Sequence, residues 1–370
     1  MKKLFLFYST LVLSSTLLFT SCKKDSNNGG SGTPTGTTTL TISANKSTLT
    51  ADGYDKVTFT VKDQTGADVT TQTVIYLNNF GNAGHSRIFE VGEQGTYKVT
   101  AKKGTVTSNE ISLTVNAAAA PTYSTKVIAE DFTGAWCGWC PRMTYKFENF
   151  MANNNKIITI GVHNGDALAL SSVESSLRGK LNPKVTSFPT VFINRAREFN
   201  DNGNIKSLAD STDLKEFLQK RSPLGLAINS TITGSNIDIT TKVGFDANIS
   251  DKLRLVVMLL EDGKVLSQSN YYHGNSTYPG NPYYSIGNPA TSFVHNGVLR
   301  AVPTGIFGTD ISTSVQTKGH IETFTHSVNI TGYDATKLRV VAFVNFYDAT
   351  YAGKIINAQV APANSNKSFD

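Results

Sequence analysis

The sequence predicts a multi-domain protein with an all-β sandwich first, an α/β layer domain second and an all-β, sandwich-like domain last. Three observations carry this reading. At 370 residues the chain exceeds what one hydrophobic core usually organises. Apolar and polar residues alternate with period two in residues 38–116 and again in 222–365, which is the signature of half-buried strands. Between them, residues 122–221 alternate buried strands with segments of helical period, the pattern of an α/β layer fold.

In the first module "KVTFTVKD" turns Val57, Phe59 and Val61 inward and Thr58, Thr60 and Lys62 outward, and "QTGAD" follows as a turn. "GTYKVTAKKG" places Tyr97, Val99 and Ala101 on one face, and "EISLTV" repeats the alternation. Short strands with turns about every 8–12 residues make a sandwich. In composition and spacing the module resembles bacterial immunoglobulin-like repeats, which implies a stalk or spacer without chemistry of its own. "NAAAAPTY", Asn116 to Tyr123, reads as a linker in which Pro121 stops the strand pattern.

In the second module "KVIAEDF", "KIITIGV" and "FPTVFI" read as strands. "CPRMTYKFENFM" reads as a helix with Met143, Phe147, Phe150 and Met151 on its inner side; "SSVESSLRGKL" and "DLKEFLQK" read as further helices. The third module offers "NIDITTKV", "KLRLVVMLLED", "FTHSVNIT" and "LRVVAFVNF" as strands. Between them "NYYHGNSTYPGNPYYSIGNP" is a long Gly- and Pro-punctuated loop carrying Tyr271, Tyr272, Tyr278, Tyr283 and Tyr284. Those tyrosines suit contact with a protein or glycan partner, and equally a loop folded back on its own sandwich. The tail "APANSNKSFD" is expected to be disordered.

The N-terminus indicates a compartment. Two lysines precede the apolar run "LFLFYSTLVLSSTLLFT", which is shorter than a bilayer span of ~20 residues, so residues 1–21 read as a signal peptide. Thr20-Ser21-Cys22 looks like a lipobox, making Cys22 the lipidation site; ordinary cleavage with Cys22 left free is the alternative. Residues 22–37, rich in Gly, Ser, Thr and Asn, form a flexible tether. Bacterial lipoproteins that this one resembles and that lack Asp after the cysteine move to the outer membrane; here that position is Lys23. Loss of Lys2 and Lys3 lowers the formal charge from +6 to +4. The remaining basic residues are dispersed, without the stripe of a nucleic-acid binder.

With Cys22 assigned to lipid, Cys137 and Cys140 are the only pair in an oxidising compartment. A zinc site wants four ligands and nothing completes one, so no metal is expected. A CxxC pair closes a small disulfide ring, and if a helix begins near Gly138 its free N–H groups and dipole stabilise a Cys137 thiolate, the nucleophile. Cys140, one turn in, suits the resolving role. A disulfide closing so short a loop stabilises little through chain entropy, but a structural staple remains the rival.

"EDFTGAWCGWC" resembles the thioredoxin-family pattern of strand, Trp-Cys-x-x-Cys and helix. The resemblance implies that Asp131 is the buried acid moving a proton to the resolving thiol, with Glu130 as the alternative after a one-residue register shift. "VTSFPTVFIN" resembles that family's cis-proline loop, which implies Pro189 facing the disulfide, with Phe188 and Thr190 beside it in the substrate groove. Trp136 matches the Trp before the first cysteine; Trp139 stands where relatives carry Pro or His. Lipobox, middle module and trailing β domain together resemble the Omp twenty-eight related outer membrane protein family over residues 122–365. Its clearest segment is "FVHNGVLRAVPTG", where His295, Asn296, Val298, Leu299 and Arg300 match a His-Asn-x-Val-Leu-Arg pattern and Gly297 replaces a second His. The leading expectation is a thiol-disulfide oxidoreductase tethered to the outer membrane. It would act on extracytoplasmic protein thiols or disulfides, use an electron-donor partner and need no cofactor beyond its disulfide. The rival is a surface adhesin or binding lipoprotein. The first expects an exposed Cys137 sulfur, the second buried thiols.

Overall fold

The computed structural model describes residues 37–52, 54–77, 81–84, 88–90, 94–199, 214, 217, 218, 220–278 and 280–370. The signal peptide, Cys22 and nearly all of the tether lie outside the described residues, as does much of the segment 213–220 expected to be helical. Among the described residues no helix is long and apolar enough to cross a membrane.

Residues 40–116 form two packed sheets. One orders Leu40–Ala44, Lys56–Asp63 and Ile88–Glu90; the other runs Thr48–Thr50, Ile111–Asn116, Gly95–Lys103, Val74–Leu77 and Gly81–Gly84, with Val106–Thr107 beside it. Val57, Phe59, Val61, Tyr97, Val99 and Ala101 are buried in the core between them. Each stands at an alternate position of its strand, which is how a pleated sheet presents one face to a core.

The expected α/β thioredoxin-like domain is not what the structure holds. The described residues contain twenty-four strands against two α-helices, Pro141–Asn153 (α1) and Ser171–Lys180 (α2), so the chain is mostly β. The strands of residues 122–221 do not close on themselves. Val127–Thr133 pairs in parallel with Ile157–His163 and antiparallel with Thr190–Ile193, which pairs with Arg197–Glu198. The far edge of Ile157–His163 then takes a partner from the C-terminal region, since Gly161 pairs with Val298 of Val298–Ala301. The sheet continues through Leu253–Glu261, Leu338–Phe346 and Ile355–Pro362, with Thr309–Ile311 alongside Leu253–Glu261, to make nine strands. Helical period in the middle segment is real, but two helices on part of a long sheet do not make a separate α/β layer.

A four-stranded sheet ordered Ile321–Asn329, Asn236–Phe245, Leu224–Thr233 and Asn366–Lys367 packs on the C-terminal half of the long sheet. Leu226, Ile228, Ile237 and Ile239 there meet Leu255, Val257, Leu259, Val340 and Ala342. The tail is ordered, contrary to expectation. Asn366–Lys367 adds a strand to Leu224–Thr233, the Phe369 ring lies 5.2 Å from Tyr123, and Asp370 pairs with Lys126. Its polar composition concealed this, because the ordering comes from the free edge it covers.

Candidate functional site

The strand Val127–Thr133 is buried throughout and splits its side chains between two cores. Val127 and Ala129 meet Met143, Phe147 and Phe150 of α1, whereas Ile128 and Phe132 pack on the opposite face with Ile158, Ile160 and Leu177 of α2. Alternation therefore puts Asp131 on the α1 side and Glu130 on the other. There Glu130 is locked in a fully buried ion pair with Arg195 at 2.8 Å, whose other arm donates to Ile306 O.

After this strand the chain turns twice before α1. Cys137 N–H donates to Gly134 O and Cys140 N–H to Cys137 O, and Cys140 is the N-cap of a helix that starts at Pro141 rather than near Gly138. Proline suits this first position, because its missing N–H has no intrahelical partner there. Cys137 and Cys140 form a disulfide with Cα atoms 5.4 Å apart. Cys137 is 4 % and Cys140 1 % exposed, so the sulfur expected at the surface is covered.

The cover comes from the tyrosine-rich loop of the C-terminal region. Gln268 Nε2 donates to Cys137 O at 2.8 Å, Ser269 N–H to Ala135 O at 2.7 Å and Tyr271 N–H to Gly138 O at 3.0 Å. The Tyr271 ring lies over Gly138 so closely that a Cβ there would stand 2.4 Å from ring carbons. Trp139 meets Tyr271 and Tyr272 edge to face at 5.3 and 5.4 Å, and Arg142 Nη1 donates to the Tyr272 hydroxyl. Asn270 braces the loop from inside by donating to the carbonyls of Tyr283, Ile286 and Gly287.

On the other side Trp136, 49 % exposed, donates its indole N–H to Asn164 O and meets the Phe188 ring edge to face at 5.3 Å. The Phe188–Pro189 bond is cis. Pro189 and the buried Thr190, whose hydroxyl donates to Ser187 O, line an open groove with Arg142, Met143 and Phe199. Trp136 and Trp139 thus lie in the cysteine turn and Phe188 against Trp136, while Pro189 and Thr190 share a groove with Arg142 and Met143 in the first turn of α1.

Two polar residues, His163 and Asp166, were not read as a site from the sequence. His163 ends its strand beside Thr133, and its Nδ1 lies 2.8 Å from Asp166 Oδ2. Asp166 also accepts the N–H groups of Ala135 and Leu168. Burial raises this carboxyl, but the His163 ring and the two N–H donors outweigh it and leave it below the usual range. The His295 ring is 5.0 Å from that of His163. Burial first, then the neighbouring His163, push its pKa down to about 4, so it stays neutral. Arg300 is bound elsewhere, to Glu261 and over the Tyr333 ring. Gly297, in place of a second histidine, adopts φ +66° with its Cα against Thr159 O, where a Cβ would stand 2.9 Å away. The available signal was "HNGD", a His and an Asp three apart where a buried strand ends.

Residues 180–367 match the protein family described as outer membrane protein Omp28, a range that holds the covering loop, Pro189 and His295 and begins after the cysteines. Among solved structures the chain is similar to HBP35 of Porphyromonas gingivalis, with a TM-score of 0.51 and 20% identity over 66% of this chain and 77% of that one. Identity that low speaks to fold alone. The GH3 β-glucosidase of Bifidobacterium adolescentis has a TM-score of 0.15 at 11% identity, over 39% of this chain and 17% of that one. The adhesin InvE of Yersinia pseudotuberculosis has 0.16 at 10%, over 90% and 58%. Neither carries an argument. No curated protein matches the chain.

Proposed function

For a chain that belongs to the Omp28 outer membrane protein family, we propose thiol-disulfide exchange at Cys137–Cys140 with extracytoplasmic proteins, from a lipid anchor at Cys22. One observation carries the reading: the disulfide turn stands at the N-terminus of α1, held by a few hydrogen bonds and one half-exposed ring from residues 268–272, with two partly exposed tryptophans beside it. When the loop lifts, a client thiolate attacks Cys137 Sγ. The Cys137–Cys140 bond breaks and its electron pair leaves on Cys140 Sγ, which takes a proton. A second client thiolate then attacks the client sulfur of the mixed disulfide and releases Cys137, so a client dithiol is oxidised and the pair reduced. A partner disulfide re-oxidises the pair; with a dithiol partner the same steps run in reverse. Asp131, on the α1 side, handles the proton, and Phe188, Pro189 and Thr190 with Trp136 and Trp139 shape the groove.

Burial of Cys137 favours a second reading, a surface adhesin or binding lipoprotein in which the disulfide is a staple. The reduction potential of the pair, measured in glutathione and dithiothreitol buffers with Cys22→Ser to remove the third thiol, separates the two. A value between roughly −270 and −120 mV supports exchange and sets its direction; a value below roughly −300 mV marks a staple and ends the exchange reading.

A further inference from the structure

Thr144 is four residues after Cys140, Phe147 and Glu148 are three and four after Thr144, and Met151 is three after Glu148, so they share one face of α1. Thr144, Phe147, Glu148 and Met151 wall a cavity of about 40 Å³ whose other side is Asp131 and Thr133, Gly161 and His163, and the turn from His295 to Gly297. A cavity this size, with Asp131, Glu148, His163 and Asn296 in its walls, has room for water, which needs only ~10–15 Å³. Its wall residue Thr144 stands one helical turn after Cys140, whose sulfur leaves with the electron pair when the disulfide breaks. Nothing in the client attack itself supplies the proton that this buried thiolate takes up.

We infer that His163, held by Asp166, is a positioning and proton-handling residue for Cys140, delivering a proton through this cavity from solvent. The inference rests on the exchange reading above. The Asp166 carboxylate fixes the His163 ring through Nδ1 and pins the turn through Ala135 N–H, so one carboxylate aligns both the proton carrier and the cysteine loop. The charged and titratable groups facing His163 are few. Asp166 contacts it, and Asp131, Glu148 and Arg339 line the same cavity from three other elements, Arg339 being paired with Asp262 at 2.6 Å. His295 beside it is neutral and committed through Nε2 to Leu266 O at 3.3 Å, which leaves His163 as the ring held by a carboxylate and facing the cavity. In the step proposed, His163 passes a proton across the cavity to Asp131, which hands it to the Cys140 thiolate as the sulfur–sulfur bond breaks, and solvent returns a proton to the ring. The electrons come from the client thiol throughout.

The test uses the full chain with Cys22→Ser and measures its rate of reduction by dithiothreitol from pH 5.5 to 8, beside His163→Gln and Asp166→Asn in the same background. Taking the ratio of each variant to the parent cancels the ionisation of the reagent. The expected ratio is a loss of at least tenfold at the acid end of this range, shrinking towards unity at its alkaline end. Asp166→Asn keeps an oxygen for Ala135 N–H, so a matching profile in that variant separates proton handling from collapse of the turn. A ratio that is constant with pH, or equal to one, overturns the inference while a potential in the catalytic range leaves exchange standing. A potential below roughly −300 mV overturns both.

Discussion

Gly138→Ala tests whether the loop over the cysteines controls access to them. Gly138 is absent from the positive-φ glycines, so an alanine fits its backbone and the perturbation acts only through its Cβ. That carbon would meet Tyr271 Cγ and Cδ1 at 2.4 Å, and the half-exposed ring can yield by swinging outward. Swinging costs the Trp139–Tyr271 edge contact, ~0.5–1.5 kcal/mol, and weakens the Tyr271 N–H to Gly138 O bond, ~1 kcal/mol. A loss of roughly 2 kcal/mol from the closed state raises the open population roughly 30-fold, at 1.4 kcal/mol per decade. If opening is fast relative to attack, the rate of disulfide reduction at pH 7 rises by the same factor, read by quenched alkylation and mass spectrometry. Tyr271→Ala is the companion variant. It removes the ring that the new methyl strikes, so adding Gly138→Ala to it brings little further change, and the pair is non-additive. Reduction of a folded Gly138→Ala protein at the parent rate would refute the lid.

Asn270→Ala strips the three carbonyls of Tyr283, Ile286 and Gly287 of a shared donor; amide exchange across 270–288 is expected to speed up roughly tenfold or more while the strand Leu253–Glu261 is unaffected. Glu130→Gln leaves Arg195 charged and buried and should cost about 3–5 kcal/mol in urea unfolding, much of it recovered when Arg195→Met removes the orphan. His295 is neutral in the fold down to about pH 4, whereas the unfolded chain takes a proton below about 6.5. Its folded pKa is depressed, so its contribution is complete above pH 6.5 and declines as pH falls towards 4, by ~3 kcal/mol in all. His295→Gln should flatten the unfolding free energy over that window, and an unchanged slope would show that His295 does not set it.

What was legible in the sequence is what neighbours along the chain decide. The alternation of Val57, Phe59 and Val61 and the helical steps from Met143 to Phe150 name their own buried faces, because period alone fixes direction. Strand partnership has no such local record. Gly161 pairs with Val298 across the boundary expected between two domains, and that single pairing turns an expected α/β unit into one end of a nine-stranded sheet. The site shows the same division. The cysteine turn, Pro189 and the face of Asp131 were open to local reading, but the roof over the cysteines comes from residues 268–272 and the cavity wall from 295–297.

The two residues between the cysteines connect these levels. Glycine at 138 gives the Tyr271 ring its place, and tryptophan at 139 gives the rings of Tyr271 and Tyr272 an edge to meet. Read within its own module, Trp139 is a departure from the Pro or His of the pattern it resembles. Read against the C-terminal loop, Gly-Trp is the half of an interface that lies inside the CxxC, so any exchange of the disulfide must first break contacts made by the residues it encloses. Transplanting Pro or His to position 139 therefore changes the roof as well as the thiols. A reduction rate that rises with either residue alike would assign the effect to the lost ring contacts, whereas a rise with His alone would assign it to charge beside the sulfurs.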